Sequence, residues 1–312
     1  MDEITPEKRE IIDKINKLKK EKNAVILVHN YQRPEIYEVA DHLGDSLGLT
    51  IKATETKADT IVFCGVDFMA ESAKILNPEK KVLWPQQEAK CPMAQMANPE
   101  ALKKRVAELK KKFPDLAVVS YVNTSAAVKA LSDICCTSSN ALKVVESLPN
   151  QNILFVPDQN LAKYVQRFTK KNIIPWEGFC YVHHTKFYPE LLKQVKEKMS
   201  DAEIIVHPEC PPEIIDMADH VTSTSGMIKV ARESKAKRFL IGTEVGMIYR
   251  LQKEVPDKEF FTIPNGGTCI QMKKIFIEDV YDALVKDQYK VEVDEETAIK
   301  AKQALQKMIA LR

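Results

Sequence analysis

The sequence predicts an α/β protein of three homologous three-layer αβα domains, with parallel sheets set around a pseudo-threefold axis. Three observations predict it. Short β-branched runs alternate with amphipathic helical segments from residue 24 onward, the pattern of βαβ units and a parallel sheet. The succession of strand, polar turn and helix recurs three times. One cysteine closes each recurrence, at Cys91, Cys180 and Cys269, with 89 residues between successive members.

The strand runs fall at residues 24–28, 60–63, 82–84, 117–120, 153–156, 203–206 and 239–241. Each unit opens on a strand ending in polar groups: VILVHNYQ from Val25, VVSYVNTS from Val118 and IIVHPECP from Ile204. Next come ADTIVFCGVDFMAESA, SDICCTSSNALKVV and ADHVTSTSGMIKVA, which align Asp59 with Asp133 and Asp219. A third strand follows in KVLWPQQEA, NILFVPDQN and RFLIGTEVG. The cysteine segments AKCPMAQM, EGFCYVHH and GGTCIQMK close the units. Repeats this long bury a face of their own, so they read as duplicated domains rather than a solenoid. The last helical pattern, 295–312, carries an apolar face that is expected to dock on the first unit.

In parallel sheets, ligands sit beyond the carboxyl ends of the strands. Three units on a common axis point those ends at one centre. The candidates there are His29, Tyr31, Tyr121, Asn123, His207 and Glu209 at strand ends. Ser138, Ser139, Ser223, Thr224 and Ser225 lie in helix-opening turns, and Ser46 lies in an early GDS turn. His29 and His207 are residues that titrate near neutrality when unperturbed. Glu209, two residues past His207, can face the same cavity.

Composition narrows the function classes. With 45% hydrophobic and 29% charged residues and a net charge of +2, the chain carries no electrostatic footprint for nucleic acid or acidic lipid. Glycine-rich phosphate cradles of the GxGxxG or GxxxxGKS type are missing. The charged N-terminus lacks the apolar segment of a signal peptide, and no apolar run approaches the roughly 18–20 residues of a membrane span. A cytoplasmic location and no membrane partner are expected.

Seven cysteines, an odd number, with no CxxC pair argue against a disulfide framework or a zinc ribbon. Cys64, Cys135 and Cys136 sit in apolar strand contexts and read as small core residues. Cys210, at a strand end, is harder to place. One cysteine per repeat suits an iron–sulfur cluster with three thiolate ligands, leaving one iron open as a Lewis acid. A three-cysteine zinc site and a cysteine nucleophile stay open on the residues alone.

The strings HNYQ at 29–32, GDSL at 44–47, FCGVDFMAESAKILNPEK at 63–80, YVNTSAAVKA at 121–130 and CTSSNA at 136–141 resemble, in order, the quinolinate synthase (NadA) family. PDQNLA at 157–162, GFCYVHH at 178–184, HPECPPE at 207–213, STSGM at 223–227 and TEVGM at 243–247 continue the resemblance, with the three cysteine segments. It implies a transferase that forms a C–C bond in NAD biosynthesis. Iminoaspartate (iminosuccinate) and dihydroxyacetone phosphate condense to quinolinate, phosphate and water. It implies a [4Fe–4S] cluster on Cys91, Cys180 and Cys269, and three domains at 1–97, 98–184 and 185–294, with helix 295–312 on the first. Substrate-binding positions fall on His29, Ser46, Tyr121, Asn123, Ser138, His207, Glu209 and Thr224. Tyr31, His29, His207 and Glu209 are the catalytic candidates. Functional coupling to an enzyme that supplies iminoaspartate is a further expectation. The CxxCxxC motif that some members carry at the C-terminus is absent here. An aconitase-type hydratase would use similar metal chemistry without a triose phosphate. A cluster-bearing regulator or sensor would need a basic DNA-binding element or a partner surface, and no such element is visible.

Overall fold

The computed structural model describes residues 4–311, so Arg312 of the expected last helix lies outside the described residues. The first unit runs α1 (Pro6–Glu21), β1 (Ala24–His29), α2 (Pro34–Tyr37), β2 (His42–Gly44), α3 (Ser46–Glu55), β3 (Thr60–Cys64), α4 (Asp67–Leu76), β4 (Lys81–Leu83) and α5 (Pro92–Gln95). The second repeats it: α6 (Pro99–Lys112), β5 (Ala117–Tyr121), α7 (Ala126–Lys129), β6 (Ile134–Cys136), α8 (Ala141–Ser147), β7 (Asn152–Val156), α9 (Gln159–Gln166), β8 (Asn172–Pro175) and α10 (Tyr181–Lys186). The third is α11 (Pro189–Lys198), β9 (Glu203–Val206), α12 (Pro212–Ile215), β10 (His220–Val221), α13 (Thr224–Glu233), β11 (Arg238–Gly242), α14 (Gly246–Glu254) and β12 (Glu259–Thr262). Two more helices follow, α15 (Ile277–Lys286) and α16 (Glu295–Ala310).

Each unit builds one four-stranded sheet, ordered β2-β1-β3-β4, β6-β5-β7-β8 and β10-β9-β11-β12. All strand pairs within the sheets are parallel. Alternate residues of a central strand point to opposite faces. Accordingly Val25 and Leu27 join one apolar cluster while Ile26 and Val28 join another. Val119 and Val118 divide likewise, as do Ile205 and Ile204. Sheets buried on both faces read as continuous apolar runs, which is why these strands were visible in the sequence.

The first-unit alignment needs correction. Asp133 accepts from Val118 N at 2.7 Å and Asp219 accepts from Ile204 N at 2.8 Å. The residue doing this in the first unit is Asp41, on Ile26 N at 2.8 Å, and not Asp59. Strand β2 has only three residues, HLG, half-buried, and so lacks the apolar run that marks a strand.

Two segments make contacts beyond those expected. Helix α15, placed by sequence in the third unit, packs on α1 and β3 of the first. Its stripe Ile277, Val280, Ala283 and Leu284 closes the outer face of sheet one over Ile26, Val28 and Val62. Beyond it Lys290 forms an antiparallel bridge to Leu83. Helix α16 lies in the seam between two units, against β6 and α7 of the second as well as α4 of the first. Its Ala301, Ala304, Leu305 and Met308 enter an apolar cluster shared by both sheets. Among the described residues, no helix is long and apolar enough to cross a membrane.

Candidate functional site

The carboxyl ends of β1, β5 and β9 meet at one cavity of about 70 Å³. The corrected alignment sorts its lining into threefold sets. His29, Tyr121 and His207 occupy equivalent strand ends. Tyr31, Asn123 and Glu209 stand two residues later. Ser46, Ser138 and Thr224 open or precede the helices that follow β2, β6 and β10. Within each of these sets, 92 residues separate the first member from the second and 86 the second from the third. All nine line the cavity, together with Cys91, Cys180 and Cys269. Ser139, Ser223 and Ser225 do not line it; they border a separate groove between the second and third units.

The two histidines are held alike. His29 Nδ1 accepts from Tyr31 N at 3.2 Å, and His207 Nδ1 accepts from Glu209 N at 3.4 Å. Accepting through Nδ1 leaves the proton of a neutral ring on Nε2. His207 Nε2 lies 3.2 Å from Ser138 Oγ. Burial pushes both rings down to about 3, with the Lys273 charge also acting on His29, so both are neutral at neutral pH. The sequence suggested groups titrating near neutrality; burial removes that property and leaves two neutral N–H donors.

Glu209 anchors a buried polar chain. Tyr121 Oη donates to Glu209 Oε1 at 2.6 Å. His183 Nδ1 sits 2.8 Å from Glu209 Oε2. His183 Nε2 is 2.9 Å from Thr243 Oγ1, which is 2.7 Å from Tyr31 Oη. Burial raises the Glu209 carboxyl, but its contacts with His183 and the Tyr121 hydroxyl act the other way and hold it below its ordinary value. Burial and the Glu209 charge push both phenols well above their ordinary range. The chain therefore joins a carboxylate, an imidazole and two protonated phenols across all three units. Neither Thr243 nor His183 is among the candidates the sequence offers, because their link spans two repeats.

The polar ends around this chain suit an acidic ligand. Thr224 Oγ1 accepts from Asn30 Nδ2 at 3.0 Å, and Asn123 Oδ1 is buried without a partner. Ser46 and Thr224 start helices whose N-caps, Asp45 and Ser223, accept from Gly48 N and Gly226 N. Exposed N–H groups at helix starts favour carboxylates and phosphates.

The three cavity cysteines are unbonded. Burial pushes all three thiols up, and Cys180 is raised further by the Glu209 charge and then by Cys269 and Cys91. Thiolates so placed fit a cationic metal group, which supplies the missing countercharge and displaces the protons. Cys180, His183 and Glu209 also bring ligand atoms within 4.8 Å of one another. His183 Nε2 is bonded to Thr243, whereas Nδ1, 2.8 Å from Glu209 Oε2, has no partner in hydrogen-bond geometry. Cys64, Cys135, Cys136 and Cys210 are buried in the apolar clusters; Cys210 Sγ lies 3.6 Å from Gly242 O. Arg250 pairs with Glu254 at 2.8 Å and Lys273 with Glu244 at 3.2 Å, and neither lines the cavity. His220 pairs with Glu203 at 3.1 Å.

The family described as "NadA: Quinolinate synthetase A protein" matches residues 13–310. A quinolinate synthase of Geobacter sp. (strain M21) is 52% identical over 297 residues, covering 95% of this chain and 96% of the relative. One from Alkaliphilus metalliredigens (strain QYMF) is 51% identical over 303 residues, with 97% and 98% covered. One from the archaeon Methanocaldococcus jannaschii is 50% identical over 308 residues, with 97% and 99% covered.

Proposed function

Because the chain belongs to the NadA quinolinate synthetase A family, we propose that it condenses iminoaspartate with dihydroxyacetone phosphate to give quinolinate, phosphate and water. The observation that carries this reading is the convergence of one cysteine and three polar positions from each unit on a single buried cavity. Cys91, Cys180 and Cys269 would hold a [4Fe–4S] cluster. When bound, it supplies an open iron that acts as a Lewis acid toward a substrate hydroxyl or carboxylate.

The protein's own groups divide the remaining work. The neutral Nε2–H groups of His29 and His207, with Ser46, Ser138, Thr224 and the helix N-termini, bind the carboxylates and phosphate. Asn123 offers its unpaired oxygen to a substrate N–H or O–H. Glu209 takes a proton from substrate carbon as general base. Thr243 and His183 link it to Tyr31, whose phenol returns a proton to a departing oxygen. The buried setting keeps bulk water from the imine, which it would otherwise hydrolyse. The test is to purify the protein without oxygen, supply both substrates, and measure quinolinate and phosphate together. Equal yields support the reading. Formation of neither by iron-loaded protein contradicts it.

A further inference from the structure

We infer that Asp67, Asp158 and Glu244 are positioning residues, each fixing the backbone of one cysteine so that the three sulfurs form a prepared ligand set. The inference rests on the reading of those cysteines as cluster ligands. Cys91 N donates to Asp67 Oδ1 at 3.0 Å, Cys180 N to Asp158 Oδ2 at 3.2 Å and Cys269 N to Glu244 Oε1 at 3.1 Å. Each acid stands at or just before the start of the helix that follows the third strand of its unit, α4, α9 or α14.

A second contact recurs beside the first. The carbonyl two residues before each cysteine accepts a backbone N–H at or next to the acid. Asp67 N donates to Ala89 O at 3.2 Å, Gln159 N to Gly178 O at 2.8 Å and Val245 N to Gly267 O at 3.0 Å. Every cysteine loop is thus pinned at two points, one of them the ligand residue itself. The close approach excludes side chains in two of the loops. A Cβ at Gly178 would lie 2.5 Å from Pro157 O, and one at Gly267 would lie 2.5 Å from Val182 Cγ1.

Ordinary capping does not account for the pattern. Asp158 also caps α9 through Leu161 N at 2.7 Å, and Glu244 also accepts from Gly246 N at 2.7 Å and meets Lys273. Asp67 also meets the Phe68 backbone at the start of α4, yet it keeps the same contact with Cys91 N. The same donor atom is held in all three units, while the other partners differ. Groups that orient metal ligands commonly change metal affinity about 10- to 100-fold when removed.

The test uses Asp67→Ala and Asp67→Asn in the full-length protein, purified without oxygen and loaded with iron and sulfide. The rate of iron loss to a ferrous chelator and the electron-spin-resonance spectrum of the reduced cluster are compared with wild type. The inference expects loss about tenfold faster for Asp67→Ala, with a shifted spectrum. Asp67→Asn should be intermediate, about threefold faster, because its amide keeps one acceptor oxygen but loses the carboxylate charge that strengthens the bond from Cys91 N. Wild-type rates and spectra in both variants overturn the inference, as does a drop in melting temperature with no change in either readout. If Asp67→Ala does not fold, Asp67→Asn decides on the same terms. Failure of the wild type itself to take up iron overturns the cluster reading instead, so the two failures are distinct.

Discussion

Glu209 carries the most chemistry of any single side chain, since it touches Tyr121 directly and reaches Tyr31 through His183 and Thr243. Glu209→Gln keeps the shape but removes the base, so turnover should fall about 100-fold or more while cluster absorbance stays. Full turnover with the cluster retained would end its assigned role. Thr243→Val is close to isosteric and breaks the link between His183 and Tyr31. Its kcat should fall with little change in KM, and an unchanged kcat would show that no proton passes that way. His29 and His207 give a stability prediction. Burial holds both near 3 when folded, against about 6.5 unfolded. Between those values the unfolded chain binds more protons, so stability rises with pH. Stability is full above about pH 6.5 and is lost as pH falls toward 3. In cluster-free protein, urea titrations of a His29→Asn, His207→Asn double variant should show a shallower decline over that window. A decline as steep as wild type would contradict the assignment.

At the scale of elements, the site depends on short pieces whose sequence signal is weak. Strand β2 contains His42, Leu43 and Gly44. It was invisible as a strand, and that hid the equivalence of Asp41 with Asp133 and Asp219. Strands β1, β5 and β9 were legible because both faces are buried, and so were the polar residues at their ends. The amphipathic stripe of α15 was legible as a stripe, but a stripe does not say which sheet it covers. The acids Asp67, Asp158 and Glu244 passed unnoticed because their partners are backbone N–H groups 22 to 25 residues away. Helix α16 gives a test of the seam it fills. Leu305→Ala should cost about 2–5 kcal/mol in denaturant unfolding, the usual range for a buried leucine. A loss near zero would mean that the helix is not part of the packed core.

For the whole molecule, threefold repetition brings four equivalent positions from each unit to one cavity, so no unit contains a complete site. The 89-residue cysteine spacing showed the repeat, while the strand-end positions recur at 92 and 86 residues, because the segments between them differ in length from unit to unit. The polar chain from Glu209 to Tyr31 could not be read from spacing, because each of its links joins different units. The central claim is that one cysteine from each unit holds a cluster on which activity depends. It is tested most directly by iron, sulfide and quinolinate measurements on oxygen-free wild-type protein and on Cys91→Ser, Cys180→Ser and Cys269→Ser. The wild type should carry about four irons and four sulfides per chain and form quinolinate. Each variant should lose the cluster and the activity together. A Cys180→Ser protein with full iron content and full quinolinate formation would contradict the account.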